Sequence, residues 1–125
     1  MLYAIVIKAI YGMMKVSLLY YRKFRSDIGG HGYIVNHYDP CVENSVINGK
    51  QYILAWHVDD IKSSHVDPEV NDEFYTWCKN MYGNDDVGHV TDVRGKKHNY
   101  LAMNLDYSET GKLKVDMKYY IDSMV

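Results

Sequence analysis

Asn48-Gly49, set between "CVENSVI" and "QYILAWHV", constrains this chain most. Both central residues of a type I′ turn need positive φ, which Asn and Gly tolerate, and such a turn matches the twist of two antiparallel strands. A hairpin is therefore predicted over 41–58, and the sheet it nucleates is antiparallel. The next turn is less ordinary. Asp59 and Asp60 interrupt "YILAWHVDDIKSSHV", the most strand-like run of the sequence, before "IKSSHV" returns as a short strand. Adjacent carboxylates repel each other, and neither strand propensity nor core packing asks for them there.

The remaining elements follow from periodicity and punctuation. Val16, Leu19, Tyr20, Phe24 and Ile28 recur at helical spacing, and Gly29-Gly30 ends that helix. "YDPC" reads as a turn, because Pro40 holds Asp39 in extended geometry. Asp67 is placed to cap a helix that starts at Pro68 and carries Val70, Phe74, Trp77, Cys78 and Met81 on one stripe. "VGHVTDV" is read as a further strand. "NYLAMNLDY" is read as one alternating strand with Leu101, Met103, Leu105 and Tyr107 on a single face. "SETG" turns the chain, "KLKV" returns antiparallel, and Asp116 caps a short terminal helix through Tyr120, Ile121 and Met124. The order helix, hairpin, helix, hairpin, helix predicts an α+β fold rather than a βαβ series.

Composition narrows the function classes. The chain has 125 residues, 47% of them apolar, which suits one globular unit, here taken as residues 1–125, and not a disordered chain. Thirteen tyrosines stand against two tryptophans and two phenylalanines; most are read as ordinary sheet and half-buried residues. A net charge of −2 makes no global case for nucleic-acid binding. Arg22, Lys23 and Arg25, then Arg94, Lys96 and Lys97, form local basic clusters that could touch phosphate, although a solvated face is the better reading of either one alone. Cys41 and Cys78 form no metal or redox spacing and are read as reduced thiols. The apolar start, interrupted by Lys8 and Lys15, lacks a basic leader region, and no run is long enough to span a bilayer. The expectation is a cytoplasmic protein without a membrane partner.

An Asp-Asp pair at a hairpin tip has a definite chemical use. Hard cations such as Mg²⁺ take one or two carboxylates together with substrate phosphates. Phosphoryl transfer uses such ions to neutralise developing charge. Backbone pairing on both sides would fix the carboxylates while leaving them open to substrate. The pair alone is common in solvated turns, so the surrounding motifs decide.

Those motifs resemble the reverse transcriptase domain of copia-type retrotransposons along nearly the whole chain. The family's "KALYGLKQ" box stands here as "KAIYGMMK" (8–15), its "WYxKF" segment as "YYRKF" (20–24), and its "DPCV" intact as Asp39, Pro40, Cys41 and Val42. Its "NGK" turn is intact at 48–50. Its catalytic "YVDD" reads "HVDD" (57–60), "YLGM" reads "YLAM" (100–103), and "KYI" opens the terminal "KYYIDSMV". The resemblance implies an incomplete polymerase palm, an antiparallel sheet with backing helices. It implies RNA-directed DNA synthesis from deoxynucleotide triphosphates on an RNA or DNA template and primer, with Mg²⁺ or Mn²⁺. Carried over, Asp59 and Asp60 are the catalytic pair, Asp59 is the metal ligand, and Gly12, Lys15 and His57 lie on the nucleotide and primer side. Departures fall at Met14, Lys15, Ser17, Leu18 and Ala102. The family's first catalytic aspartate precedes the "KAIYG" box and has no counterpart here. The fingers and the ribonuclease H segment also have none, so the chain is expected to be a palm fragment, inactive alone, of a larger parent. Two other readings stand beside it: a degenerate, non-catalytic retroelement remnant with weak nucleic-acid binding, and an enzyme with a two-His, one-carboxylate iron or zinc site drawn from His57, Asp59, His65 and Asp67.

Overall fold

The computed structural model describes residues 15–83 and 89–124. The chain runs α1 (Val16–Gly30), β1 (Val42–Ile47), β2 (Lys50–His57), β3 (Asp60–Ser64), α2 (Pro68–Tyr82), β4 (Lys97–Tyr100), β5 (Met103–Asp106), β6 (Lys114–Asp116) and α3 (Lys118–Asp122). The fold is α+β, as expected, and its strands form two three-stranded antiparallel sheets, β1-β2-β3 and β4-β5-β6.

The Asn48-Gly49 turn forms as the sequence requires. Both residues have positive φ, 52° and 72°, and the turn pairs Ile47 with Lys50. That register puts Tyr52, Leu54 and Trp56 of β2 on one face, opposite Ser45 and Glu43 of β1 and with Ile61 and Ser63 of β3 beside them. Both α1 and α2 cover this face. Phe24 and Ile28 from α1, and Val70, Phe74 and Cys78 from α2, join Tyr52, Leu54 and Trp56 in one core. Each of these large apolar side chains contributes about 1.5–3 kcal/mol by leaving water. The rings also meet in preferred geometries, Phe24 edge-on to Trp56 at 5.3 Å and Tyr33 stacked on Tyr52 at 5.4 Å.

Helix α2 starts as predicted: the Asp67 side chain accepts the Glu69 N–H at 3.0 Å, with Pro68 in the first turn. Val70, Phe74 and Cys78 are buried along its stripe, while Met81 is exposed. Tyr82, in the last turn of α2, donates to Asp27 of α1 at 2.6 Å, so the two helices are joined by a charge-assisted hydrogen bond as well as by packing.

Two expectations are corrected. "NYLAMNLDY" is not one strand: Leu101 and Ala102, with φ of 50° and 60°, form a two-residue turn that folds β4 against β5 and pairs Tyr100 with Met103. A period-two pattern survives a two-residue reversal unchanged, and Leu-Ala lacks the usual turn chemistry. "VGHVTDV" forms no strand over 89–93. There Arg94 instead holds Asp92 and reaches Asp72 of α2 at 2.9 Å, and Val90 O accepts from the Tyr75 hydroxyl at 3.3 Å. The second sheet has a thin core, with Leu105 buried, β6 exposed and no buried residue in α3. Asp116 accepts the Lys118 N–H at 2.8 Å, one position before the helix cap at Met117. No helix among the described residues is long and apolar enough to cross a membrane.

Candidate functional site

The β2–β3 hairpin is built by its register. His57 pairs with Asp60, which leaves Val58 and Asp59 as the two-residue turn. Asp59 therefore occupies the tip, and Asp60 is the first residue of β3. Because side chains alternate along a strand, His57 and Asp60 share the face opposite the helices, together with Lys62. His57, Asp59 and Asp60 are all exposed.

Val58 carries the strain of the turn. Its φ is 53°, a left-handed conformation in which a β-branched side chain crowds its own backbone. Such conformations persist where the surroundings over-determine them, and they gather at functional loops. Here the ladder on either side and the packing of Trp56 against Phe24 hold the tip in place.

The two carboxylates have different surroundings. Partial burial raises the Asp60 carboxyl above the ordinary aspartate range, the Asp59 charge adds to the rise, and His57 works against it. Asp59 also acts across to α1: the Tyr20 phenol is pushed up to about 12, by burial first and then by Asp59 and Cys78. Asp60 acts on the second sheet, since Tyr100, raised mainly by its own burial, is raised further by the Asp60 charge. Tyr20 of α1 and Tyr100 of β4 thus feel the charge of the pair. Sequence reasoning did not assign them to the site, although each lies inside a quoted motif, "YYRKF" and "YLAM".

The other proposed site residues divide. Gly12 lies outside the described residues. Lys15 is exposed at the start of α1, where its carbonyl accepts the Leu19 N–H at 3.0 Å. His65 stands beyond the other end of β3 from His57, on the order of 15 Å away at about 3.3 Å per residue. Both of its ring nitrogens face local backbone, Nε2 the Ile47 carbonyl at 3.1 Å and Nδ1 the Asp67 N–H at 3.0 Å. The set His57, Asp59, His65 and Asp67 is therefore not brought together. Among the described residues no three His, Cys, Asp or Glu side chains gather as a metal-holding group.

What the hairpin offers a cation is two neighbouring carboxylates and open solvent. That donor set fits Mg²⁺ in the form in which the ion keeps waters and takes its other oxygens from a phosphate-bearing substrate. It does not fit a closed protein cage. Each basic cluster is engaged in part: Lys23 pairs with Asp27 at 2.7 Å, Arg94 with Asp72 and Asp92, and Lys97 with Asp106 at 3.5 Å. In comparisons with family models, curated proteins and solved structures, nothing matches the chain.

Proposed function

We propose that this chain is part of the palm of a copia-type RNA-directed DNA polymerase and that its β2–β3 hairpin carries catalytic carboxylates of nucleotidyl transfer. The observation that carries the reading is the hairpin itself. A strained two-residue turn presents Asp59 at its tip and Asp60 beside it, on a sheet whose opposite face is backed by two helices. The motif order along the chain supports the same reading. So does Ala102: the family's "YLGM" has glycine there, and the backbone at Ala102 is left-handed, the conformation glycine adopts without strain.

In this reading Asp59, with Asp60 beside it, would hold Mg²⁺ together with the phosphates of an incoming deoxynucleotide. When bound, that ion supplies charge neutralisation at the reacting phosphate. His57 lies next to the pair, on the primer side. Two-metal nucleotidyl transfer draws carboxylates from separate strands, and the described residues gather none beyond the hairpin pair. The further carboxylate would come from a parent polymerase. Template, primer and a ribonuclease H segment likewise belong to that parent in this reading.

The test joins two measurements. Mn²⁺ should broaden amide signals at 57–61 in the wild-type chain and much less in Asp59→Ala; equal broadening in both would remove Asp59 as a ligand. Primer extension on an RNA template with Mg²⁺ or Mn²⁺ should give no product from the 125-residue chain. Extension that vanishes in Asp59→Asn would show that no additional strand is needed.

A second reading is a non-catalytic remnant. It is favoured by the net charge of −2 and by the engagement of Lys23, Arg94 and Lys97 with carboxylates. Its nucleic-acid binding would be weak, sequence-independent and steeply salt-sensitive. A metal-independent, salt-sensitive affinity with no Mn²⁺ effect at the hairpin would select it.

A further inference from the structure

Glu43 is fully buried, the one charged-type side chain of the described residues to be so. It lies on the helix-covered face of β1, opposite Leu54. Its Oε1 accepts a long hydrogen bond, 3.4 Å, from the Ile34 N–H. Among the described residues its Oε2 has no partner, and neither does Ser45 Oγ, two residues along on the same face. Among the described residues no lysine, arginine or histidine pairs with it.

An ionised carboxylate in this place would lose its hydration and recover one long hydrogen bond, a heavily unfavourable exchange. A neutral acid loses far less. It also gains an O–H that can donate to an acceptor, and Ser45 Oγ is a buried acceptor lacking a bond. The groups facing Glu43 are phenols: Tyr33 from the segment after α1 and Tyr52 from β2, both raised chiefly by their own burial and both sensing the Glu43 charge. Burial likewise pushes the Glu43 carboxyl above the ordinary glutamate range, against the opposing influence of the Ser45 hydroxyl, which lies near it without a formed hydrogen bond, and of the Ile34 N–H.

The segment 33–36 is strapped to β1 at this point. Val35 bridges Glu43, the Asn36 N–H donates to the Val42 carbonyl at 2.8 Å, and Tyr33 stacks on Tyr52. Water reaches Glu43 when that strap lifts. We propose that Glu43 is held as a neutral acid in the folded chain and that its ionisation unlatches the segment 33–36 from the edge of β1, a proton-sensitive strap. The folded state then keeps a proton that the unfolded chain gives up. The stability it supports is complete below the ordinary glutamate range and is lost as pH rises through the folded-state value.

The test uses the full chain, wild type and Glu43→Gln, whose amide keeps the shape and can donate to Ser45 Oγ as the acid does. In urea titrations the wild-type folding constant should fall by up to about tenfold per pH unit across that window relative to Glu43→Gln. Amide exchange at Ile34 and Asn36 should accelerate over the same range in wild type beyond the ordinary base-catalysed rise, and not in the variant. Identical pH dependence in the two proteins overturns the proposal. If Glu43→Gln does not fold, the side-chain carboxyl ¹³C signal of wild-type Glu43 decides: a midpoint above the ordinary glutamate range, moving together with the Asn36 amide, supports the strap, and a midpoint at or below that range overturns it.

Discussion

His57 and Asp60 stand opposite each other in register across the β2–β3 hairpin, so a single turn puts an imidazole and two carboxylates within the four residues 57–60. Asp60 is raised by partial burial and by Asp59. Replacing Asp59 with Asn should therefore bring the Asp60 carboxyl back toward the ordinary aspartate range, read from its side-chain ¹³C titration. A raised carboxyl lends stability below the ordinary range that is lost as pH rises through its folded-state value. Asp59→Asn should reduce that loss. At neutral pH the variant should gain at most about 0.5 kcal/mol, because the pair is exposed and screened. The gain should shrink in high salt, and an unchanged Asp60 titration would contradict the coupling.

Three turns hold non-glycine residues in the left-handed region: Asn48 and Val58 in the two turns of the first sheet, and Leu101 with Ala102 in the β4–β5 turn of the second. Ala102→Gly should raise stability by about 0.5–1 kcal/mol, and Val58→Gly by about 1 kcal/mol, since each removes a Cβ that crowds the backbone at positive φ. Thermal or urea unfolding measures this directly. Loss of stability in Ala102→Gly would mean that the β4–β5 turn is not left-handed in solution.

Tyr82 and Lys23 converge on Asp27. Partial burial works to raise Asp27, yet the hydrogen bonds from Lys23 and Tyr82 hold its carboxyl below the ordinary aspartate range. A lowered carboxyl contributes stability above the ordinary range and loses it as pH falls through the folded-state value. Tyr82→Phe should cost on the order of 1–2 kcal/mol at neutral pH and weaken the acid limb of the stability profile. In a double-mutant cycle, Asp27→Asn should remove most of the effect of Tyr82→Phe. Strict additivity would show that the bond between α1 and α2 is not formed.

The two thiols should differ in reactivity. Burial pushes Cys78 up to about 12, and it lies in the core at 5% exposure. Cys41 is half-buried and raised by burial and by Asp39. Iodoacetamide should modify Cys41 in the folded chain and reach Cys78 at a rate limited by unfolding, because the thiolate is the nucleophile. Mass spectrometry of partly labelled protein distinguishes the two, and equal rates would place Cys78 outside the core.

Much of the first half of the fold was legible from local chemistry. Asn48-Gly49 specified a turn, and a two-residue turn fixes register. That register in turn puts Glu43 opposite Leu54, yet "VENSVI" gives neither alternating set a clean apolar identity, so the buried acid passed unmarked. Asp67-Pro68 specified the start of α2 because its side-chain cap needs no partner from elsewhere. The second half was less legible. Leu101-Ala102 turns without turn residues, and the run 89–93 is held by Arg94 and Tyr75 from outside itself rather than by strand pairing.

The amino-acid order by itself determined that the chain reverses at Asn48-Gly49 and again beside Asp59, which stripe of each main helix is apolar, and that the two carboxylates share a hairpin. These depend on neighbours in sequence, through φ preferences, side-chain caps and periodicity. Tertiary structure decided that Tyr20 and Tyr100 feel the carboxylate charges, that His57 and His65 stand at opposite ends of β3, and that Glu43 is sealed beneath the 33–36 strap. Such juxtapositions arise from burial of the faces of separate elements against one another, and their geometry and electrostatics exist only once that packing has formed.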